Sequence, residues 1–172
     1  MILEVNGTPY NFFTSITVNI RLDALSRQFR FDATQIKGTS LPFLGGEPCR
    51  VLDEGDVIAT GHIERLDVDY DADSHNIGLS GRDKTGDLVD SSIVDMSDLN
   101  PPISLRRCAQ RVIDNIGADI RVVDNTGGAG FEKAADLVAP EPGQNAFEFL
   151  ETLARRKQVL ITSNGDGDVV LT

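Results

Sequence analysis

The chain has 172 residues, 40% hydrophobic and 25% charged, with a formal net charge of -11. So acidic a chain does not hold nucleic acid by neutralising phosphates, and with no tryptophan and 6% aromatic residues it offers no base-stacking platform. The length suits one large or two small domains, and no apolar run of about 18 residues exists to span a membrane. The opening MILEVNGTPY lacks a basic start and a long apolar core, so we expect no secretory signal and folding in a cytoplasm. Cys49 and Cys108 stand far apart with no partners at metal spacing, and read as buried small hydrophobes.

The first half reads as short strands at roughly 10-residue spacing, the pattern of a small barrel or sandwich. Ile2 to Val5 is a strand, and Asn6-Gly7 is a two-residue hairpin signal because both residues tolerate positive φ. Ile16, Val18 and Ile20 alternate with polar residues, as do Phe29, Phe31 and Ala33. The glycine- and proline-bearing stretch 35–47 reads as a loop, Cys49 to Leu52 as a strand and Asp53-Glu54-Gly55-Asp56 as a turn. From Val57 another strand begins, and its apolar parity switches between Ile63 and Leu66, which calls for a β-bulge near Glu64-Arg65. Leu66, Val68 and Tyr70 then share one face, with Asp67, Asp69 and Asp71 on the other. Asp71-Ala72-Asp73-Ser74 is turn chemistry, and Ile77 and Leu79 resume the alternation on the return strand. Gly81 to Gly86 reads as a polar exit from the sheet, followed by a brief apolar return over Asp87-Leu88-Val89-Asp90.

After Asp90 the character changes. Ser91 to Pro102 reads as a linker. Ser104 caps a helix whose buried stripe is Leu105, Cys108, Ala109, Val112, Ile113 and Ile116, with Gly117 at its stop. Asp119 to Val123 reads as a strand. Asn145, with Glu148 three residues on, opens a second helix striped by Phe147, Leu150, Leu153 and Ala154, and Arg155-Arg156-Lys157 suits the negative end of its dipole. Val159 to Thr162 and Val169 to Thr172 form a closing hairpin. The expected fold is therefore mixed β and α+β: an antiparallel β-barrel over residues 1–92, then a small α+β domain with two helices over 93–172.

Motifs that carry chemistry fail on their spacing. Counted from Asp67, a calcium loop needs glycine where Ala72 stands and glutamate where Gly78 stands; counted from Asp69, Ser74 and Ser80 fall there. Asp67, Asp69 and Asp71 therefore read as an exposed acidic face with no metal. Gly78-Leu79-Ser80-Gly81-Arg82 ends in arginine where a nucleophile elbow needs glycine. His62 and His75 fall on neighbouring strands without a further ligand. No glycine loop ends in Gly-Lys-Ser/Thr, and nothing singles out a glycosidase carboxylate pair. No catalytic residue, cofactor or metal is expected.

The strings Val5-Asn6-Gly7, Thr60-Gly61-His62-Ile63-Glu64 and Ser80-Gly81-Arg82-Asp83-Lys84-Thr85-Gly86-Asp87-Leu88-Val89-Asp90, with the later Glu141 to Leu150 and Val159 to Thr162, resemble the baseplate hub proteins of Mu-like contractile phage tails. The signature positions are Gly81, Arg82, Asp83, Gly86, Asp87, Leu88, Val89 and Asp90. The resemblance implies a structural protein of the virion tail baseplate, assembled in the bacterial host cytoplasm. It implies a homotrimeric ring joining the tail tube protein to the central spike protein, touching other baseplate proteins and letting DNA pass. Specific nucleic-acid binding and membrane insertion are not expected. Family members normally carry two similar barrels flanking the α/β unit, and the second would follow Thr172. Asp67, Asp69 and Asp71 would then face the ring lumen or stay exposed. The alternative reading is a cell-wall-acting or glycan-binding tail enzyme.

Overall fold

The computed structural model describes residues 1–34, 43–70, 75–94 and 99–172, with the side chains of Thr34, Asp69, Tyr70 and His75 outside the description. Two compact units emerge: Met1–Asp83 with Gly165–Gly167, and Lys84–Asn164 with Asp168–Thr172. Contacts thus divide the chain at Asp83, ahead of the boundary expected at residue 92.

The first unit is a seven-stranded antiparallel sheet. Its strands are β1 (Ile2–Val5), β2 (Thr8–Tyr10), β3 (Ser15–Asn19), β4 (Gln28–Thr34), β5 (Pro48–Asp53), β6 (Asp56–Tyr70) and β7 (His75–Asp83), in the order β2-β1-β5-β6-β7-β4-β3. Local chemistry sets the turns. Asn6 and Gly7 take φ of 51° and 79°, and Glu54 and Gly55 take 51° and 99°. The closing pairs are Val5 with Thr8 and Asp53 with Asp56, as two-residue hairpins require.

Strands β2 and β3 sit at opposite ends of the sheet yet are joined by residues 11–14 alone. Seven flat strands would put those edges about 29 Å apart, and the five Cα–Cα steps from the end of β2 to the start of β3 reach about 18 Å at most. The sheet must curl toward a barrel. Among the described residues no ladder joins β2 to β3, so the expected barrel stops short of closure and is an open curled sheet. Rings gather at that gap: Phe13 packs on Phe31 at 4.8 Å, Tyr10 on Phe43 at 4.7 Å, and Phe12 stacks on Phe13 at 4.9 Å.

The concave face buries Leu3, Val5, Phe29, Phe31, Phe43, Cys49, Val51, Ala59, Ile63 and Leu79, with Ile16, Val18 and Leu66 half-buried against them. The expected bulge is present. Ile63 pairs with Gly81 and Arg65 with Ser80, leaving Glu64 as the extra residue, so Leu66 and Val68 regain the inner face opposite Leu79 and Ile77. A second irregularity falls at Ile58, between the Val51–Ala59 and Leu52–Val57 pairs. Two expectations are corrected. Ile20 is 57% exposed, because β3 ends with the Asn19–Gln28 pair and the alternation no longer lies on a sheet. Gly81, Arg82 and Asp83 do not leave the sheet; they are the last rungs of β7, Gly81 and Arg82 paired with both β4 and β6 and Asp83 with β6.

The second unit packs three helices, α1 (Gly86–Asp90), α2 (Leu105–Ile116) and α3 (Ala146–Arg156), with two small sheets. Strands β8 (Ile103–Ser104) and β10 (Gly130–Phe131) form an antiparallel ribbon. Strands β9 (Val122–Asp124), β11 (Ile161–Ser163) and β12 (Val169–Leu171) follow the order β11-β12-β9, with β12 and β9 parallel. That parallel pair needs a crossover, which α3 supplies. Ser104 accepts from Arg107 N at 3.2 Å, and Gly117 ends α2 with φ of 72°. Leu105, Cys108, Ala109, Val112 and Ile113 of α2 and Ala146, Phe149, Leu150, Leu153 and Ala154 of α3 are buried. The expected strand at Asp119 to Val123 starts later, because Arg121 N donates to the Asp168 carboxylate at 3.1 Å before the β9 ladder begins at Val122.

Truncating Phe31 to alanine should cost about 3–5 kcal/mol in urea unfolding, whereas Ile20→Ala should stay within about 0.5 kcal/mol. Burial pushes the Cys49 thiol up to about 12 and the Cys108 thiol up to about 11. Both stay protonated near neutrality, so a thiol reagent at pH 8 should leave the folded chain unmodified and react with both cysteines in denaturant.

Candidate functional site

The signature run Gly81 to Asp90 starts in the first unit. At Gly81 a Cβ would lie 2.1 Å from His62 O and 2.5 Å from Phe29 Cζ. At Gly61, which pairs with Asp83, it would lie 1.9 Å from Arg82 O. Two bare backbones thus let β6 and β7 approach while the Phe29 ring lies across Gly81. The bulge at Glu64 aims its carboxylate at Arg82, whose Nε donates at 2.7 Å. Asp83 is 3% exposed; its carboxylate accepts from Ser26 Oγ at 2.9 Å and its N–H donates to Arg27 O at 3.0 Å. Burying that charge is tolerable because it is hydrogen-bonded.

The run continues in the second unit. Lys84 Nζ lies 3.9 Å from Asp119, Thr85 is fully buried, and Gly86 to Asp90 form α1, with Leu88 fully buried. Asn145 holds the end of this helix. Its side-chain amide donates to Val89 O, while its Oδ1 accepts from Glu148 N at 3.1 Å as the cap of α3. Beside it, Ile93 N donates to Gln144 O at 2.9 Å, Gly143 N to Ile93 O at 3.2 Å and Ala146 N to Ser91 O at 2.9 Å. The stretch expected as a linker is therefore pinned at residues 91–93. The two sequence motifs Asp87 to Asp90 and Glu141 to Asn145, some 50 residues apart in sequence, meet here.

The convex face of β3, β4, β7 and β6 is a second feature. Arg30 and Arg65 flank Ser80 in register, and Asp32 and Asp67 flank Gly78. Each arginine pairs with the aspartate two residues on: Arg30 to Asp32 at 2.9 Å and Arg65 to Asp67 at 2.6 Å. Bare Gly78 lets the Arg30 guanidinium lie across it, where a Cβ would stand 2.8 Å from Nη2. A groove of about 260 Å³ remains, lined by Asp32, Asp67, Asn76 and Gly78. The acidic face expected from Asp67, Asp69 and Asp71 is thus not simply acidic where it is described. Asp67 is half-buried and ion-paired, Asp69 stands in β6 opposite Asn76, and Asp71 lies outside the described residues. Arg30 and Arg65 stand in the sequence two residues before Asp32 and Asp67, on the same strand faces.

His62 is exposed and opposite Arg82, while His75 pairs with Tyr70 at the far end of the hairpin, so β6 and β7 do not bring the histidines together. Among the described residues no group of three or more His, Cys, Asp or Glu is placed to hold a metal.

Gly81→Ala should destabilise by about 1–3 kcal/mol through overpacking, while Gly45→Ala, where the new Cβ would meet nothing nearer than 3.8 Å, should be close to neutral. Asn145→Ala should cost about 0.5–2 kcal/mol for the cap and about 1 kcal/mol more for the bond to α1. Chemical denaturation of the three variants checks both.

Residues 1–83 match the family model of the Mu phage baseplate assembly protein GpP-like N-terminal domain, and residues 85–172 match that of the baseplate hub protein gp44-like second domain. The baseplate hub protein gp44 of Escherichia phage Mu is 26% identical over 99% of this chain and 45% of its own length. The 43 kDa tail protein of prophage MuSo2 from Shewanella oneidensis superposes with a TM-score of 0.86 at 32% identity, over 99% of this chain and 53% of that one. A tail protein from Neisseria meningitidis MC58 shares the fold, with a TM-score of 0.82 at 21% identity over 99% of this chain and 49% of that one. The chain spans about half the length of these relatives. With the second-domain model covering more than half of its residues, the chain belongs to the baseplate hub family of Mu-like phage tails.

Proposed function

We propose that the chain works in the tail baseplate as a structural ring component, joining copies of itself in a threefold ring between the tail tube protein and the central spike protein, beside other baseplate proteins. DNA passes through that ring. Assembly takes place in the bacterial host cytoplasm. The observation that carries this reading is the convex face of β3, β4, β7 and β6. Its outward residues are Ser15, Thr17, Asn19, Gln28, Arg30, Asp32, Asn76, Gly78, Ser80, Arg82, Arg65 and Asp67, all polar or glycine, as a water-filled channel needs. A polyanion binds a surface by displacing counterions with free cations. Here Arg30, Arg65 and Arg82 are each engaged by a carboxylate, so passing DNA meets little net attraction.

The signature residues Gly81, Arg82, Asp83, Gly86, Asp87, Leu88, Val89 and Asp90 act in this reading as structural residues, holding strand, helix and cap in place. The family relatives are named for their place in the tail, and we read the chain as non-enzymatic. Tail particles assembled with a tagged copy should carry the label at the end of the tube; a label along the sheath or on the capsid overturns the reading. The purified chain should release no soluble fragments from peptidoglycan, and turnover abolished by one carboxylate substitution would establish the cell-wall enzyme in its place.

A further inference from the structure

We draw no further inference here: the strongest candidate, the groove of about 260 Å³ over Gly78 between Asp32 and Asp67 on the convex face of the first sheet, belongs to the polar face already described, and its two carboxylates are taken by Arg30 and Arg65.

Discussion

The first unit depends on the contact between the Phe29 ring and the bare backbone of Gly81. Phe29 and Gly81 are paired residues on β4 and β7, and Gly81 also faces Ile63 on β6. A side chain at Gly81 would displace both the ring and the His62 carbonyl. With none there, a large ring fills the concave core while three strands stay in register. The Glu64 bulge follows directly after Ile63 and turns the strand so that Leu66 and Val68 rejoin the core. The convex face inherits its order from the same registers: with Phe29, Phe31 and Leu79 inward, Arg30, Asp32 and Ser80 must point outward.

The second unit is organised by one side chain with two duties. Asn145 caps α3 and holds the Val89 carbonyl in the last turn of α1, so two short elements that would be marginal alone stabilise each other. The parallel pairing of β9 with β12 is the long-range closure that makes the unit compact.

What the sequence disclosed follows the range of the physics. Both two-residue turns, the bulge and the caps at Ser104 and Asn145 were legible, because a residue and its neighbours determine them. The exposure of Ile20 was not, because it depends on where β3 ends against the start of β4. The pinning of residues 91–93 depends on backbone partners at 143–146, far along the chain, and the polarity of Ser91 to Pro102 read as a linker instead. Helix α1 is too short to carry periodicity, and the two-residue strands β8 and β10 have no pattern of their own. At the convex face the aspartates were read and their paired arginines missed. Alternation places Asp67 outward but does not reveal that Arg65 turns along the strand to meet it.

The central claim is that this convex, self-neutralised face borders the channel of an assembled hub. A high-resolution structure of the assembled baseplate containing this chain tests it most directly. The account predicts Arg30, Ser80 and Asp67 facing the lumen with both arginine–aspartate pairs intact. The same residues on the outer circumference, or buried against a neighbouring protein, would contradict it.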